Sequence, residues 1–284
     1  MAYKGILGAI IGDIVGSRFE WHNYKGKDFE LFTNSCKFTD DTAMTIAVGK
    51  ALADCNGHYE NLSYDVVKSM QKIGRQYAYC GYGGSFKAWL KSDNPEPYNS
   101  WGNGSAMRVS ACAYFANSLA EVKDLSYKVT AVTHNHPEGI KGAEATAVAA
   151  YLAHTGVEKE KIREYITKNY YPLNFKLDDI RDEYCFHVSC QKSVPQALEA
   201  FFEADNYEDT LRNAISIGGD SDTIGAIAGA VAGAYYSIPE DIKSQGFTYL
   251  DDNLRNIVNE IDSKAQEKSL LIQTQMAQKN IKDL

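Results

Sequence analysis

The sequence predicts an all-α protein folded as one domain over residues 1–284, and three observations support this. Apolar residues recur at helical spacing along most of the chain, while alternating Val, Ile and Thr runs of strand length are nearly absent. The stretches between periodic segments are too short and too unbiased to act as interdomain linkers. The composition, 44% apolar and 23% charged with six prolines, is that of a globular protein and excludes disordered, collagen-like or low-complexity chains.

Helices are expected near 4–17, 41–54, 62–79, 85–91, 104–119, 121–132, 138–155, 157–169, 188–204, 207–216, 222–236 and 248–277. The first begins as a signal peptide would, with Lys4 before Gly5 to Gly12. Asp13 ends that apolar run, and Arg18 and Glu20 stand where small cleavage-site residues belong. The second follows Thr39-Asp40-Asp41-Thr42, residues suited to a helix start. The short fourth helix follows the turn Gly81-Tyr82-Gly83-Gly84-Ser85, and the fifth follows Ser100-Trp101-Gly102-Asn103-Gly104. The seventh follows Thr133-His134-Asn135-His136-Pro137, and the eleventh follows Gly218-Gly219-Asp220-Ser221-Asp222-Thr223. The last is polar and suits an edge. The remaining helices rest on apolar periodicity alone. Irregular stretches fall at Trp21 to Phe38, Ser92 to Gly102 and Tyr170 to Tyr184.

Two helices carry glycine stripes: Gly8, Gly12, Gly16 and Gly225, Gly229, Gly233. A glycine inside a helix costs about 1 kcal/mol relative to alanine, so close backbone approach is the compensating reason. Either stripe alone could pack against another neighbour, but the shared spacing favours a mutual pair. If that pair is antiparallel, Glu20 lies beside the start of the second helix.

Charge narrows the partners. With 29 basic and 37 acidic residues the net charge is −8, and no basic stripe appears, which argues against duplex nucleic acid. A nucleotide held by backbone N–H groups stays possible. The longest other apolar run, Ile224 to Tyr236, falls short of the ~20 residues that span a bilayer. The cysteines at 36, 55, 80, 112, 185 and 190 form no Cys-x-x-Cys pair and read as reduced thiols in a cytoplasmic protein.

Capping accounts for a single acidic helix start. Two adjacent carboxylates exceed that need, and the pattern recurs 182 positions on (222 − 40), with hydroxyl residues in both copies. Asp40, Asp41, Asp220, Asp222, the neighbouring threonines and Glu20 form an oxygen-only set suited to Mg²⁺ or Mn²⁺ rather than zinc, with two ions plausible. Asp28, Glu30, Asp178, Asp179 and Asp182 read as surface charge. The glycine turn at 81–84 is either an ordinary loop or a phosphate cradle. His134 and His136 could suggest zinc, but with no further ligand nearby a loop histidine bonding ligand or backbone is the better reading.

These motifs, in order from Gly8 to Asp13 through Phe38 to Thr42 and Gly102-Asn103-Gly104 to Gly219-Asp220-Ser221-Asp222-Thr223, resemble the ADP-ribosylglycohydrolases. The resemblance implies an orthogonal helical bundle, two Mg²⁺ or Mn²⁺ ions and an ADP-ribose cleft. It implies Thr39, Asp40, Asp41, Asp220, Asp222 and Thr223 as metal ligands and Glu20 as a mobile catalytic glutamate, with Asp40, Asp41 and Asp222 also catalytic. It implies that Gly81, Gly83, Gly84, Asn99, Ser100, Trp101, Gly102, Asn103 and His134 bind substrate. Ser100 departs from the aspartate of some arginine-specific members, which leaves the acceptor open. The expected reaction is metal-dependent hydrolysis of the C1″ glycosidic bond in an ADP-ribosylated protein or small conjugate, by a monomer, with Trp21 to Phe38 as a lid. The rival readings are a two-metal phosphoesterase acting on a nucleotide and a catalytically silent ADP-ribose binder.

Overall fold

A computed structural model describes residues 5–282, with side chains as far as 270. The expected helix start at Lys4, the outermost ends of the 1–284 domain and the side chains of the last helix beyond 270 lie outside the described residues. In chain order the helices are α1 (Leu7–Gly16), α2 (Asp40–Asp54), α3 (Leu62–Gln76), α4 (Gly84–Lys91), α5 (Cys112–Phe115), α6 (Leu119–Thr130) and α7 (Pro137–His154). They continue as α8 (Lys159–Asn169), α9 (Leu177–Ile180), α10 (Cys190–Phe202), α11 (Tyr207–Ser216), α12 (Ser221–Tyr235), α13 (Glu240–Thr248) and α14 (Asp252–Lys282). Among the described residues the sole β pairing is one bridge between Gly102 and Ser189.

The two striped helices form the centre. Every residue of α1 is buried, as is all of α12 except Tyr235. Helices that are apolar all round belong in a core. A Cβ added to Gly12 would lie 2.0 Å from the carbonyl oxygen of Gly225, and one on Gly8 2.4 Å from that of Gly229. One on Gly16 would lie 2.3 Å from the oxygen of Ser221. The pairing 8–229, 12–225, 16–221 is antiparallel, so the chain leaving α1 toward Glu20 emerges beside the start of α12. Around this pair, α7, α10 and α11 pack on α12, and α2 packs on α1 while holding α3 and α14 on its other sides.

Three expected elements differ. The helix expected at 104–119 is a 3-10 turn over Asn103–Ser105, then the single turn α5. Residues 105–116 are all buried, so no polar face marks where helix gives way to turn. Helix α10 begins at Cys190 rather than 188, because the Val188 carbonyl accepts from Asn103 N at 2.7 Å and Cys190 N donates to the Trp101 carbonyl at 3.0 Å. The final helix, expected from 248, begins at Asp252 with the Asp251 carboxylate accepting from Leu254 N, and α13 occupies a stretch before it where no helix was expected. The short α9 lies inside a stretch expected to be irregular. All six cysteines are free, and among the described residues no helix is long and apolar enough to cross a membrane.

Candidate active site

The acidic start of α2 is held from below by Asp13. This carboxylate, wholly buried on α1, accepts from Thr39 N at 2.9 Å, Thr39 Oγ1 at 2.7 Å and Thr42 N at 3.1 Å, and also from the Thr42 hydroxyl. Thr39 in turn caps the helix by accepting from Asp41 N at 3.2 Å. Asp40 N donates to the Cys80 carbonyl at 2.8 Å, which brings the glycine turn against the motif. A side chain at Gly81 would put its Cβ 3.1 Å from Asp40 Oδ1.

The start of α12 is shaped by Gly218 and Gly219, both at positive φ (69° and 76°), a conformation glycine adopts without steric cost. Asn23 Oδ1 accepts from Gly219 N at 3.0 Å. Asp220 Oδ2 accepts from Asn103 Nδ2 at 2.7 Å, and Asp222 Oδ1 from Thr223 N at 2.9 Å. Glu20, Asp220 and Asp222 present oxygens that all lie within 4.8 Å of one another.

So many acids in one place are electrostatically unbalanced. Burial first, then the charge of Asp13, pushes the Asp40 carboxyl up to about 7. Burial and then Asp220 push Glu20 up to about 7. Burial, reinforced by the neighbouring aspartates, holds Asp41 and Asp222 well above the ordinary carboxylate range. Among the described residues, none of these acids has a lysine or arginine ion pair. Asp41 Oδ2 is buried without a hydrogen bond of ordinary geometry, and the Thr223 side chain is the neighbour that eases its charge. A buried acceptor so poorly satisfied amid converging carboxylates fits a hard divalent cation, whose charge would offset the repulsion.

Above the acids opens a cleft of about 640 Å³, lined by every predicted site residue except Thr39. The Thr39 hydroxyl donates to Asp13 and accepts from Asp41 N, which leaves it one lone pair. His134 faces the cleft, whereas His136 caps α7 by accepting from Glu138 N at 3.1 Å and sets its ring edge-on to Trp101. The two histidines serve separate ends of their loop, which agrees with the loop reading over zinc. Asp28, Glu30, Asp178, Asp179 and Asp182 are exposed, as expected.

The stretch expected to act as a lid is tied down. Lys25 Nζ donates to the carbonyls of Ile217, at 2.6 Å, and Tyr184. Arg212 Nη1 bonds the Lys27 and Phe29 carbonyls at 2.7 and 2.8 Å, and Tyr249 Oη bonds that of Thr33 at 3.0 Å. The exposed tip is Trp21, stacked on Phe186 across the mouth with centroids 5.2 Å apart. Phe186, Val188 and Arg108 also line the cleft, and sequence reasoning gave none of them a role. Asp13 was legible as the end of an apolar run and of the first family-like motif, with no role of its own. Its signal was a carboxylate adjoining a stripe glycine on a helix otherwise built for the core.

A glycine-paired helical core thus carries two acidic helix starts that open on one cleft, and known proteins share this fold. A sequence model of the ADP-ribosylglycohydrolase family matches residues 2–271, and the chain belongs to that family. It is 26% identical to the ADP-ribosylhydrolase ARH3 of Mus musculus, over 84% of each protein. It is also 26% identical to the ADP-ribosyl-[dinitrogen reductase] glycohydrolase of Rhodospirillum rubrum, over 92% of this chain and 94% of that one. A solved ADP-ribosylglycohydrolase-related protein complex shares the fold, with a TM-score of 0.69, 20% identity, and coverage of 93% of this chain and 97% of that chain.

Proposed function

We propose that the chain, acting as one domain over 1–284 and as a cytoplasmic monomer, is a divalent-cation-dependent hydrolase. It cleaves the C1″ glycosidic bond between ADP-ribose and an acceptor on a protein or small conjugate. The observation that carries this reading is the convergence of Glu20, Asp40, Asp41, Asp220 and Asp222 on one cleft, with the buried Asp41 Oδ2 left without a hydrogen bond of ordinary geometry. Thr39, Asp40, Asp41, Asp220, Asp222 and Thr223 would hold two Mg²⁺ or Mn²⁺ ions. Bound there, the cations would polarise sugar hydroxyls and water and offset the acids' mutual repulsion.

The chain's own residues do the rest. Gly81, Gly83, Gly84 and the Asn99 to Asn103 loop supply small backbone surfaces that the nucleotide can approach closely, and His134 adds a ring nitrogen. Asn103 keeps Asp220 in place through its 2.7 Å bond. Bond cleavage passes through an oxocarbenium-like sugar. Water attacks C1″ as the bond to the acceptor breaks, Glu20 takes the proton from that water, and the departing acceptor atom receives one from a carboxyl group or water. Glu20 suits this role because it stands at the mouth, half-buried, beside the deeper acids.

The test is incubation with arginine-linked, serine-linked and nucleic-acid-end-linked ADP-ribose conjugates, with products read by mass spectrometry. Free ADP-ribose should appear from at least one linkage, disappear with chelator and return with Mg²⁺ or Mn²⁺. Phosphate release from nucleoside diphosphates would favour a phosphoesterase, and binding without turnover a silent binder.

A further inference from the structure

Arg108 is wholly buried, has no carboxylate ion pair among the described residues, and lines the cleft wall. Its Nη2 donates to Thr133 Oγ1 at 2.6 Å, and that oxygen stands 2.7 Å from Nδ1 of His134. We infer that Arg108 and Thr133 hold His134 as the Nε2–H tautomer, so that its ring presents a hydrogen-bond donor to an anionic oxygen of a nucleotide ligand.

The assignment follows from counting donors, since hydrogen positions on imidazoles are read from the network around them. A guanidinium only donates, so Thr133 Oγ1 must accept from Arg108. The hydroxyl hydrogen of Thr133 then has two acceptors in reach: His134 Nδ1 at 2.7 Å and the Thr130 carbonyl at 3.4 Å. That carbonyl already receives the backbone N–H groups of Thr133 at 3.2 Å and His134 at 2.9 Å, which fill both its lone pairs. The hydrogen therefore goes to Nδ1, and the ring's own proton sits on Nε2. Burial, and next the adjacent Arg108 charge, hold the imidazole pKa well below its ordinary value, so the ring does not carry a second proton.

Nε2 makes no hydrogen bond among the described residues, and His134 lines the cleft. A Cβ on either Gly102 or Gly104 would come within 3.5 Å of Nε2, so glycine keeps its approach open. The opposite tautomer would turn a lone pair toward the cleft and repel an anion. Through the relay, the arginine charge also polarises the imidazole toward donation. The ligand's identity, the diphosphate of ADP-ribose, rests on the function proposed above; the tautomer does not.

Two measurements separate those statements. Imidazole ¹⁵N chemical shifts in the unmodified protein, with the His134 signals found by their loss in His134→Gln, should show Nε2 protonated and Nδ1 bare. Thr133→Ser should keep that pattern and Thr133→Val should mix the tautomers. A protonated Nδ1 in the unmodified protein overturns the proposal whatever the ligand. With Mg²⁺ present, His134→Ala, which removes the donor altogether, should weaken binding of ADP-ribose and of ADP by about tenfold, the loss expected for one hydrogen bond to a charged group. Adenosine binding should change less than about twofold, because it carries no phosphate. Equal losses for all three ligands would overturn the oxygen-specific role. Failure of the unmodified protein to bind ADP-ribose, with Nε2 still protonated, would instead count against the proposed function.

Discussion

Asp13 shows how one side chain can govern a site it does not line. Four donors from Thr39 and Thr42 converge on it, so both threonines of the Thr39 to Thr42 motif hang from one carboxylate. Asp13→Asn turns an amide NH₂ toward those donors and leaves at least one unsatisfied, so a loss of about 2–3 kcal/mol is expected in denaturant titration. Turnover should fall with it, because Asp40 and Asp41 lose their seat. Glu20→Gln should behave differently: ADP-ribose affinity stays within about tenfold, whereas the single-turnover rate drops about 10²–10⁴-fold. A rate within a few-fold of the parent would end its catalytic assignment. Asp222→Asn should melt above the parent in chelator at alkaline pH, since a buried acid no longer has to ionise there, yet gain less from added Mg²⁺ and turn over far more slowly. Differential scanning calorimetry with and without the ion decides this. At this scale the acids at 40, 41, 220 and 222 were legible because their duplication exceeds what capping requires, and Glu20 because it follows a glycine-striped helix whose antiparallel partner starts with two of them. Phe186 and Val188 were not, since an apolar residue in a loop looks the same whether it lines a cleft or meets solvent.

Among the elements, α1 and α12 were the most legible, because six glycines at helical spacing have few physical explanations. The structure supplies the antiparallel pairing itself, with added Cβ atoms meeting backbone rather than flexible side chains. Gly12→Ala should therefore destabilise by at least about 3 kcal/mol despite alanine's better helix propensity. Gly49→Ala on α2 is the contrast: its Cβ meets side chains rather than backbone, Ile261 Cδ1 at 3.0 Å and Cγ2 at 3.3 Å and Ala111 Cβ at 3.6 Å, so a smaller loss of about 1 kcal/mol is expected. Similar thermal shifts in the two variants would show that the α1–α12 contact yields. The elements that escaped prediction have physical reasons. Burial on all sides hides periodicity over 105–116, and the start of α10 is set by pairing with Trp101 and Asn103, nearly ninety positions away in sequence.

For the whole molecule, the acidic cluster links folding, cation and pH. Each of these acids binds its proton more tightly in the folded than in the unfolded chain. Their contribution to stability is therefore complete below the unfolded carboxylate range, about pH 4, and is lost as pH rises through about 7, where Glu20 and Asp40 ionise in the folded chain. The protein in chelator should melt progressively lower from pH 5 to pH 8, by about several degrees, while the stabilisation from added Mg²⁺ or Mn²⁺ grows over the same interval because its ligands must be deprotonated. A cation effect independent of pH would remove these acids as ligands. The glycine contact bears on the chemistry in another way. In most helical proteins the gap between two helices is filled by side chains, and it drifts whenever their volumes change. Asp13, which seats the start of α2, and Asp222 ride on two backbones that touch directly, so their spacing is set by the radii of carbonyl and Cα atoms. Repacking the outer layers around α7, α10 and α14 can then raise or lower the melting temperature without moving one carboxylate against the other. The reaction is insulated from the wear of its own core.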